Sequence, residues 1–326
     1  MSSSPAPNDA STPAMLPATT GRRRRGGRYS WWAPYVFIGP FALLFLVFTI
    51  YPLFYSVVMA MQFNNGPKSS AFVGLANYKR VLTDPDFWKA LKNTFIFAGA
   101  SLFVQLPCSL GLALLLNRED IRARGFWRLI FFSPVLVGLA CVAVMFGLIF
   151  EKNTGLINVM LFDFTLWLQG YLSFIPIWDK EFPWLQEWIM PAIVIASFWM
   201  YVGFNMVYFL AALQSVSKEL LEAAEVDGAN AWHRFLNVTI PAIKPVAMFV
   251  VLLSFLGSMQ LFELPFLLLG PGGGPSGDGL TVVMYLYDKG FNAGNLGYAS
   301  AVGWVLAVIL FGFAMLQKLL AGKDDA

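Results

Sequence analysis

Charged residues, histidine and cysteine are all scarce in this sequence. Only 13% of its 326 residues are Asp, Glu, Lys or Arg, about half of the roughly 25% found in ordinary soluble domains. The single histidine, His233, cannot form a metal cluster. The two cysteines, Cys108 and Cys141, lie in separate apolar runs, where packing is a commoner role than a disulfide or a metal pair. These absences argue against a soluble enzyme and against metal catalysis, and we expect no catalytic residue and no metal site.

Apolar residues, in contrast, make up 58% of the chain. A membrane-spanning helix needs roughly 20 mostly apolar residues, and six runs satisfy this requirement. Outer-membrane barrel strands alternate between apolar and polar residues, which runs such as FALLFLVFTIY do not. The sequence therefore predicts an all-α, polytopic membrane protein with six transmembrane helices within residues 31–320. The runs cover residues 33–61, 93–117, 129–150, 189–213, 246–269 and 296–317.

The N-terminal segment, residues 1–30, is predicted to be a disordered tail with a basic cluster, since it has few large apolar side chains to stabilise a fold. Its arginines suggest a nucleic-acid patch or the start of a signal peptide, but arginines beside a first span are typical of an end held in the cytoplasm. We therefore expect no nucleic-acid partner, and both termini, including residues 321–326, in the cytoplasm. The cluster is Arg22, Arg23, Arg24, Arg25 and Arg28.

Residues 214–245, here called the elbow, lie between the fourth and fifth apolar runs and are then cytoplasmic. Ser217 is a plausible N-cap of a helix that runs to Asp227, and Gly228 can end it in the left-handed conformation. Asn230 can cap a second short helix, and Pro241 fits the first turn of the rising fifth span. Amphipathic helices that lie on lipid usually carry Lys and Arg on their polar face, whereas this one carries glutamates. An acidic face favours a basic protein partner.

Two segments on the opposite side also have local signals. The stretch TDPDFWKALKNT predicts a short surface helix capped by Thr83, with Pro85 in its first turn. The stretch GPGGGPSGDG, residues 270–279, predicts a loop because glycines at this density suit positive φ angles and disfavour helix or strand.

The elbow also resembles a known motif. Glu222-Ala223-Ala224, Gly228 and Pro241 match the EAA motif of ABC-type importer permeases, E-A-A-x3-G-x9-I-x-L-P, with Val and Ile at residues 238 and 240 replacing its Ile and Leu. Three further stretches, residues 72–97, 267–291 and 296–306, resemble the sugar-importing branch whose best-known member carries maltose. The resemblance covers roughly residues 31–320 and is closest to the first permease of a heterodimeric pair.

This resemblance implies a type I importer permease fold and a division of labour between subunits. The permease would pair with a second permease, receive a sugar or oligosaccharide from an extracytoplasmic solute-binding protein, and be driven by an ABC ATPase dimer. The sequence has no G-x-x-x-x-G-K-[ST] loop for nucleotide phosphates, so ATP and Mg²⁺ are expected on the ATPase and no cofactor on this chain. Glu222, Ala223, Ala224, Gly228 and Pro241 would form the ATPase-coupling site in the cytoplasm of a bacterial cell, at its inner membrane.

Polar side chains inside spans are candidates for the substrate path, because lipid penalises them unless they serve packing or function. A neutral sugar requires hydrogen-bond partners and aromatic faces. For each residue, hydrogen bonding between helices is the alternative role, and for Glu263, the one ionisable residue in the runs, it is a loop-capping carboxylate. The candidates are Tyr201, Asn205, Tyr208, Ser254, Ser258, Gln260 and Glu263.

Other functions remain open at this stage. A permease for a polyol or a glycerol phosphate would have a similar sequence. An ion-coupled secondary transporter would need coupling carboxylates or broken helices near the midplane, and one off-centre glutamate argues against it. A membrane enzyme would need clustered His, Asp or Ser groups at one depth, and the sequence shows no such cluster.

Overall fold

A computed structural model describes residues 32–64 and 70–321, so the predicted basic tail lies outside the described residues. The chain divides after Pro52 into two compact units. The first contains α1 (Ala33–Phe45), a π-helical turn (Leu46–Ile50) and the first residues of α2 (Tyr51–Ala60).

The second unit is almost entirely helical, with one short antiparallel hairpin in which Phe63 pairs with Ala71. Three π-helical turns interrupt its helices, at Ser101–Gln105, Phe235–Thr239 and Asp288–Asn292. Its elements are, in order, β1 (Gln62–Asn64), β2 (Ser70–Phe72), α3 (Ala76–Thr83), α4 (Pro85–Ala100), α5 (Leu106–Asn117), α6 (Arg124–Phe132), α7 (Leu139–Ile149), α8 (Leu156–Gln169), α9 (Ile189–Gln214), α10 (Lys218–Val226), α11 (Ala231–Arg234), α12 (Ile240–Met259), α13 (Glu263–Leu269), α14 (Val282–Tyr287) and α15 (Leu296–Ala321).

Five helical stretches among the described residues are long and apolar enough to cross a membrane. A bent pair, Arg124–Leu136 with Leu139–Ile149, supplies a sixth span if the two helices are counted together. The all-α fold class is therefore confirmed, with the small hairpin as an addition. The five stretches are Tyr35–Ala60, Pro85–Asn117, Ile189–Gln214, Ala231–Leu269 and Leu296–Leu320.

The third span is the one that differs most from its prediction, because its two helices meet at 97°. Pro134 lies in a short 3-10 turn, and Val137 and Gly138 after it adopt extended backbone conformations. The break allows α6 to approach α9 closely. A Cβ atom added to Gly203 of α9 would lie 1.7 Å from the Phe131 carbonyl oxygen, so only glycine fits at this contact.

The start of the second span corrects the Thr83 prediction. The Thr83 hydroxyl donates back to the carbonyls of Lys79 and Arg80 in the last turn of α3. Asp84 is the N-cap instead, and its Oδ1 accepts a hydrogen bond from the Asp86 N–H at 2.9 Å. The residue before a proline is biased towards extended backbone, which suits a cap. The helix that begins at Pro85 is not a short surface helix but the first part of the span Pro85–Asn117.

Asp84 also joins three distant parts of the chain. Its Oδ2 accepts hydrogen bonds from the hydroxyls of Tyr285 at 2.7 Å and Tyr298 at 3.0 Å, and the two hydroxyls lie 2.8 Å apart. Partial burial would raise the pKa of Asp84, but hydrogen bonds from Tyr285, from the Asp86 N–H and from Tyr298 outweigh it and lower the pKa below its usual value. This group, here called the clasp, ties α4 to α14 and α15.

The Gly-rich segment forms a loop, as predicted, with positive φ angles at Gly270, Gly273, Gly274 and Gly277. Polar side chains of α4 hold it. Lys89 pairs with Asp278 at 3.1 Å, and the Asn93 amide donates to the carbonyls of Gly277 and Leu280. The loop is thereby fixed on the same helix that continues into the second span.

Three clusters of buried apolar side chains form the core of the second unit. One joins α3 and α4 to α12, α14 and α15, a second joins α7 to α9 and α13, and a third joins α5 to α9 and α12. Because α4, α9 and α12 each contribute to two clusters, they form the centre of the unit. The candidate substrate residues lie on α9, on α12, on α13, which follows α12, and at the junction between α12 and α13.

Candidate functional site

The elbow folds largely as its sequence indicates. Helix α10 begins after Ser217, which is at the N-cap position but makes no capping hydrogen bond through its side chain. The helix ends at Val226, and Gly228 follows with φ at +80°. The Gly228 N–H donates to the Glu225 carbonyl and the Ala229 N–H to the Ala224 carbonyl, so the turn satisfies the last carbonyls of the helix. Asn230 caps α11 by accepting a hydrogen bond from the His233 N–H at 2.8 Å.

Ion pairs connect the elbow within itself and to the loop after α5. Arg234 of α11 pairs with Glu225 of α10 across the turn. Lys218 pairs with Glu119 at 2.9 Å, and the hydrogen bond from Lys218 lowers the pKa of Glu119. Both members of the second pair are largely exposed, so the contact orients the elbow more than it stabilises the fold.

The prediction that Pro241 lies in the first turn of the rising helix is confirmed, but the helix of this span begins earlier. The chain is already helical from Ala231 and stays so to Met259. The π-helical turn Phe235–Thr239 immediately precedes α12, and Pro241 is in the first turn of that helix. A π-helical turn shifts the hydrogen-bond pattern, so that some backbone carbonyls lose the N–H partner they would have in an α-helix. Proline fits after such a turn because it has no N–H to donate. The second short helix of the elbow is thus the N-terminal end of the fifth span.

The outer surface of the elbow exposes both acidic and apolar side chains. Glu222 and Ala223 are exposed, whereas Leu221 packs against the core cluster of α5, α9 and α12. Val226 and Trp232 are large apolar residues that stay mostly uncovered, with 88% and 63% of their surface exposed. Apolar groups of this size beside glutamates are typical of a protein interface.

The seven candidate substrate residues all line one cavity of about 570 Å³. Tyr201, Asn205 and Tyr208 reach it from α9, and Ser254 and Ser258 from α12. Gln260 and Glu263 lie at the junction between α12 and α13. The structure therefore brings together residues that the sequence indicated only one at a time. Their role in transport stays a prediction.

The junction between α12 and α13 interrupts the helix at the cavity. Residues 260–262 leave the regular helical hydrogen-bond pattern, and the Leu261 carbonyl accepts a hydrogen bond from the Thr281 hydroxyl at 2.6 Å. Irregular backbone at membrane depth is tolerated where it is buried in protein or lines a cavity. The break exposes Glu263 at the first position of α13.

Sequence reasoning missed the contribution of the second span to this cavity. Ser101 and Gln105 lie in the π-helical turn after α4, and the Ser101 hydroxyl lies 2.8 Å from that of Ser254. They satisfy the same rule, a polar side chain inside an apolar run, which would have found them had it been applied to that run. The second span contributes Phe97, Ser101 and Gln105 to the cavity lining, and α9 contributes Ser197.

A family model described as "Binding-protein-dependent transport system inner membrane component" matches residues 29–323. The arabinooligosaccharides transport system permease protein AraP of Bacillus subtilis is 36% identical over 89% of this chain and 89% of its own length. The lactose transport system permease protein LacF of Rhizobium radiobacter is 32% identical over 87% of this chain and 92% of its own. Both similarities extend over most of the chain and most of the relative.

The fold also has a counterpart of known structure. A chain of a bacterial alginate ABC transporter, crystallised with an alginate pentasaccharide-bound periplasmic protein, superposes with a TM-score of 0.74. The match covers 90% of this chain and 95% of that chain at 22% identity. This similarity shows the type I permease fold that the elbow motif implied. The chain therefore belongs to the family of inner-membrane components of binding-protein-dependent transport systems.

Proposed function

We propose that this protein is one permease of an ABC importer for a sugar or a small oligosaccharide. The observation that carries this proposal is the cavity, where polar side chains from three spans meet. Its volume of about 570 Å³ lies within the roughly 300–1,000 Å³ typical of small-molecule sites. Hydroxyl and amide groups beside tyrosine rings provide the contacts that sugar hydroxyls and apolar sugar faces require.

The relatives support a sugar as the substrate. AraP is named for arabinooligosaccharides, LacF for lactose, and NgcF of Streptomyces coelicolor, 30% identical over 87% of this chain, for diacetylchitobiose. A glycerol phosphate is disfavoured, because the described lining residues include no Lys or Arg to pair with a phosphate. An ion-coupled mechanism is disfavoured by membership of a binding-protein-dependent family.

The elbow supports coupling to a separate ATPase. In this proposal Glu222 pairs with a basic residue of the ATPase, Ala223 and Ala224 allow close approach, and Gly228 and Pro241 set the path of the chain. ATP and Mg²⁺ are held by an ATPase dimer, and this chain carries no cofactor. The elbow and both termini then face the cytoplasm, and a second permease and an extracytoplasmic solute-binding protein complete the importer.

Reconstitution tests this proposal. The chain, its second permease, the ATPase and the solute-binding protein are assembled in proteoliposomes, and uptake of a radiolabelled sugar that the binding protein retains is measured. Uptake should require ATP and the binding protein and should persist when an ionophore collapses ion gradients. An ATPase variant unable to hydrolyse ATP is the control. Uptake that continues with this variant, or that stops with the ionophore, would contradict the proposal.

A further inference from the structure

The cavity carries one formal charge, and we propose that this charge selects among sugars. Within the described lining, Glu263 is the one residue with a formal charge at neutral pH, and all other polar groups are neutral. We infer that Glu263 makes the cavity accept neutral and amino sugars and refuse uronic acids and sugar phosphates. This inference rests on the proposed function, because it assigns the substrate class of the same cavity.

The position of Glu263 makes its carboxylate available to a solute. The residue follows the helix break at 260–262 and is exposed, whereas its neighbours Leu264 and Pro265 are buried. No ion pair joins Glu263 to another described residue, in contrast to Glu225 and Asp278, which pair with Arg234 and Lys89. The negative charge is therefore uncompensated by the described part of this chain.

The surroundings strengthen the effect of this charge. The cavity wall opposite is formed by α9, α12 and the second span, whose lining side chains are hydroxyls, amides and apolar groups. A charge beside low-dielectric walls acts over a longer distance than it does in water. A solute carboxylate would meet repulsion without a cation to offset it, whereas a hydroxyl can donate to Glu263 and an ammonium group can pair with it.

The test uses small thiol reagents of different charge. Cys108 and Cys141, both exposed, are replaced by alanine, and Gln260→Cys places one thiol on the cavity wall. The assembled importer in detergent is treated with methanethiosulfonates that bear a trimethylammonium, a hydroxyl or a sulfonate group, and the rate of modification is measured for each. Each rate is divided by the rate of the same reagent with a free small thiol in solution, and the inference predicts that this relative rate is highest for the cationic reagent and lowest for the anionic one.

Substitutions at Glu263 then test whether its charge causes the difference in rate between the reagents. Glu263→Gln should reduce the ratio of cationic to anionic rates by about tenfold, given two unit charges a few ångströms apart in a partly aqueous site. Glu263→Asp should keep the ratio, and Glu187→Gln, which removes an exposed carboxylate outside the cavity lining, should leave it unchanged. Ser254→Cys repeats the measurement from α12 if the first cysteine variant does not assemble.

Two results would overturn the inference. One is a ratio that Glu263→Gln does not change, and the other is an intact importer in which the anionic reagent reacts as fast as the cationic one, as expected if the second permease supplies a compensating cation. Labelling requires neither ATP nor transport. A failed reconstitution would therefore contradict the proposed function, whereas an unchanged ratio would contradict only the charge selection.

Discussion

Single residues show where local sequence determines local structure. Gly228 and Asn230 could be predicted because a left-handed turn and a side-chain cap depend on the residue itself and its immediate neighbours. The cap of the second span was assigned to Thr83 instead of Asp84, since both residue types cap helices and they are adjacent. The pre-proline bias at residue 84 was the signal that decides between them.

Gly228 allows a graded prediction. Its φ is +80°, and a Cβ atom at this position would meet nothing within 4 Å, so any cost of substitution is conformational rather than steric. Asn tolerates the left-handed region, whereas a β-branched residue does not. We expect Gly228→Asn to retain most ATP-driven uptake and Gly228→Val to lose most of it, with equal amounts of both variants in the membrane. Equal uptake by the two would show that the turn geometry has no role.

Asp84 gives a prediction about stability and pH. Removing its charge weakens two tyrosine hydrogen bonds, and we expect Asp84→Asn to cost about 2 kcal/mol, measured as a lower unfolding temperature in detergent. Because the folded-state pKa of Asp84 is lowered, its contribution is present above the unfolded-state pKa, near 4, and is lost as the pH falls through the folded-state value. The wild-type protein should therefore lose this extra stability in acid.

Asp86→Asn is the control for the clasp, since no hydrogen bond joins the Asp86 side chain to a described tyrosine. It should leave the unfolding temperature near that of the wild type at neutral pH. If the two asparagine variants unfold at the same temperature, the clasp does not stabilise the protein.

At the level of helices, hydropathy predicted where spans lie but not how they bend or how far they extend. The run at residues 129–150 was long enough for one straight helix, yet it forms two helices at 97°. The fifth span was predicted to start at residue 246, yet its helix starts at Ala231. The length of an apolar run in the sequence indicates which part of a helix lipid surrounds. Bends and polar extensions depend instead on contacts between helices that are distant in sequence.

The contact between α6 and α9 gives a prediction at this level. Gly203→Ala places a methyl group where the Phe131 carbonyl lies, and rigid backbone on both sides must move. We expect a loss of about 1–3 kcal/mol or more, seen as early thermal aggregation and a low yield of folded protein. Gly111→Ala in α5 is the matched control, since a Cβ atom there meets nothing within 4 Å. Similar stability of the two variants would contradict this packing.

At the level of the whole molecule, the sequence predicts the spans and their polar residues, and the structure shows which of these residues meet at the cavity. The seven substrate candidates are polar residues of two apolar runs, 189–213 and 246–269, and no pattern in one run indicates that it faces the other. The missed residues Ser101 and Gln105 reach the same cavity from the second span. Convergence of this kind arises from tertiary packing, which single-sequence periodicity does not record.

Coupling is the prediction that concerns the assembled importer. Glu222 is exposed on α10, so Glu222→Lys should leave folding and membrane insertion unchanged while it repels a basic partner surface. We expect ATP-driven uptake to fall at least about tenfold, the effect of placing like charges at an interface, with weaker co-purification of the ATPase. Glu187→Lys, the same change at an exposed loop position before α9, is the control. Normal uptake by the Glu222→Lys variant would contradict the proposed role of Glu222 in docking to the ATPase.

The continuous helical stretch from Ala231 to Met259, which includes the π-helical turn Phe235–Thr239, connects the elbow to the cavity. At about 1.5 Å per residue it forms a rod roughly 40 Å long, with Trp232 near one end and Ser254 and Ser258 near the other. A flexible loop would not pass on a displacement of the elbow, but a rod transmits it to the side chains that line the cavity. A single stiff lever thus holds both the surface on which force would act and the groups whose rearrangement would release a sugar.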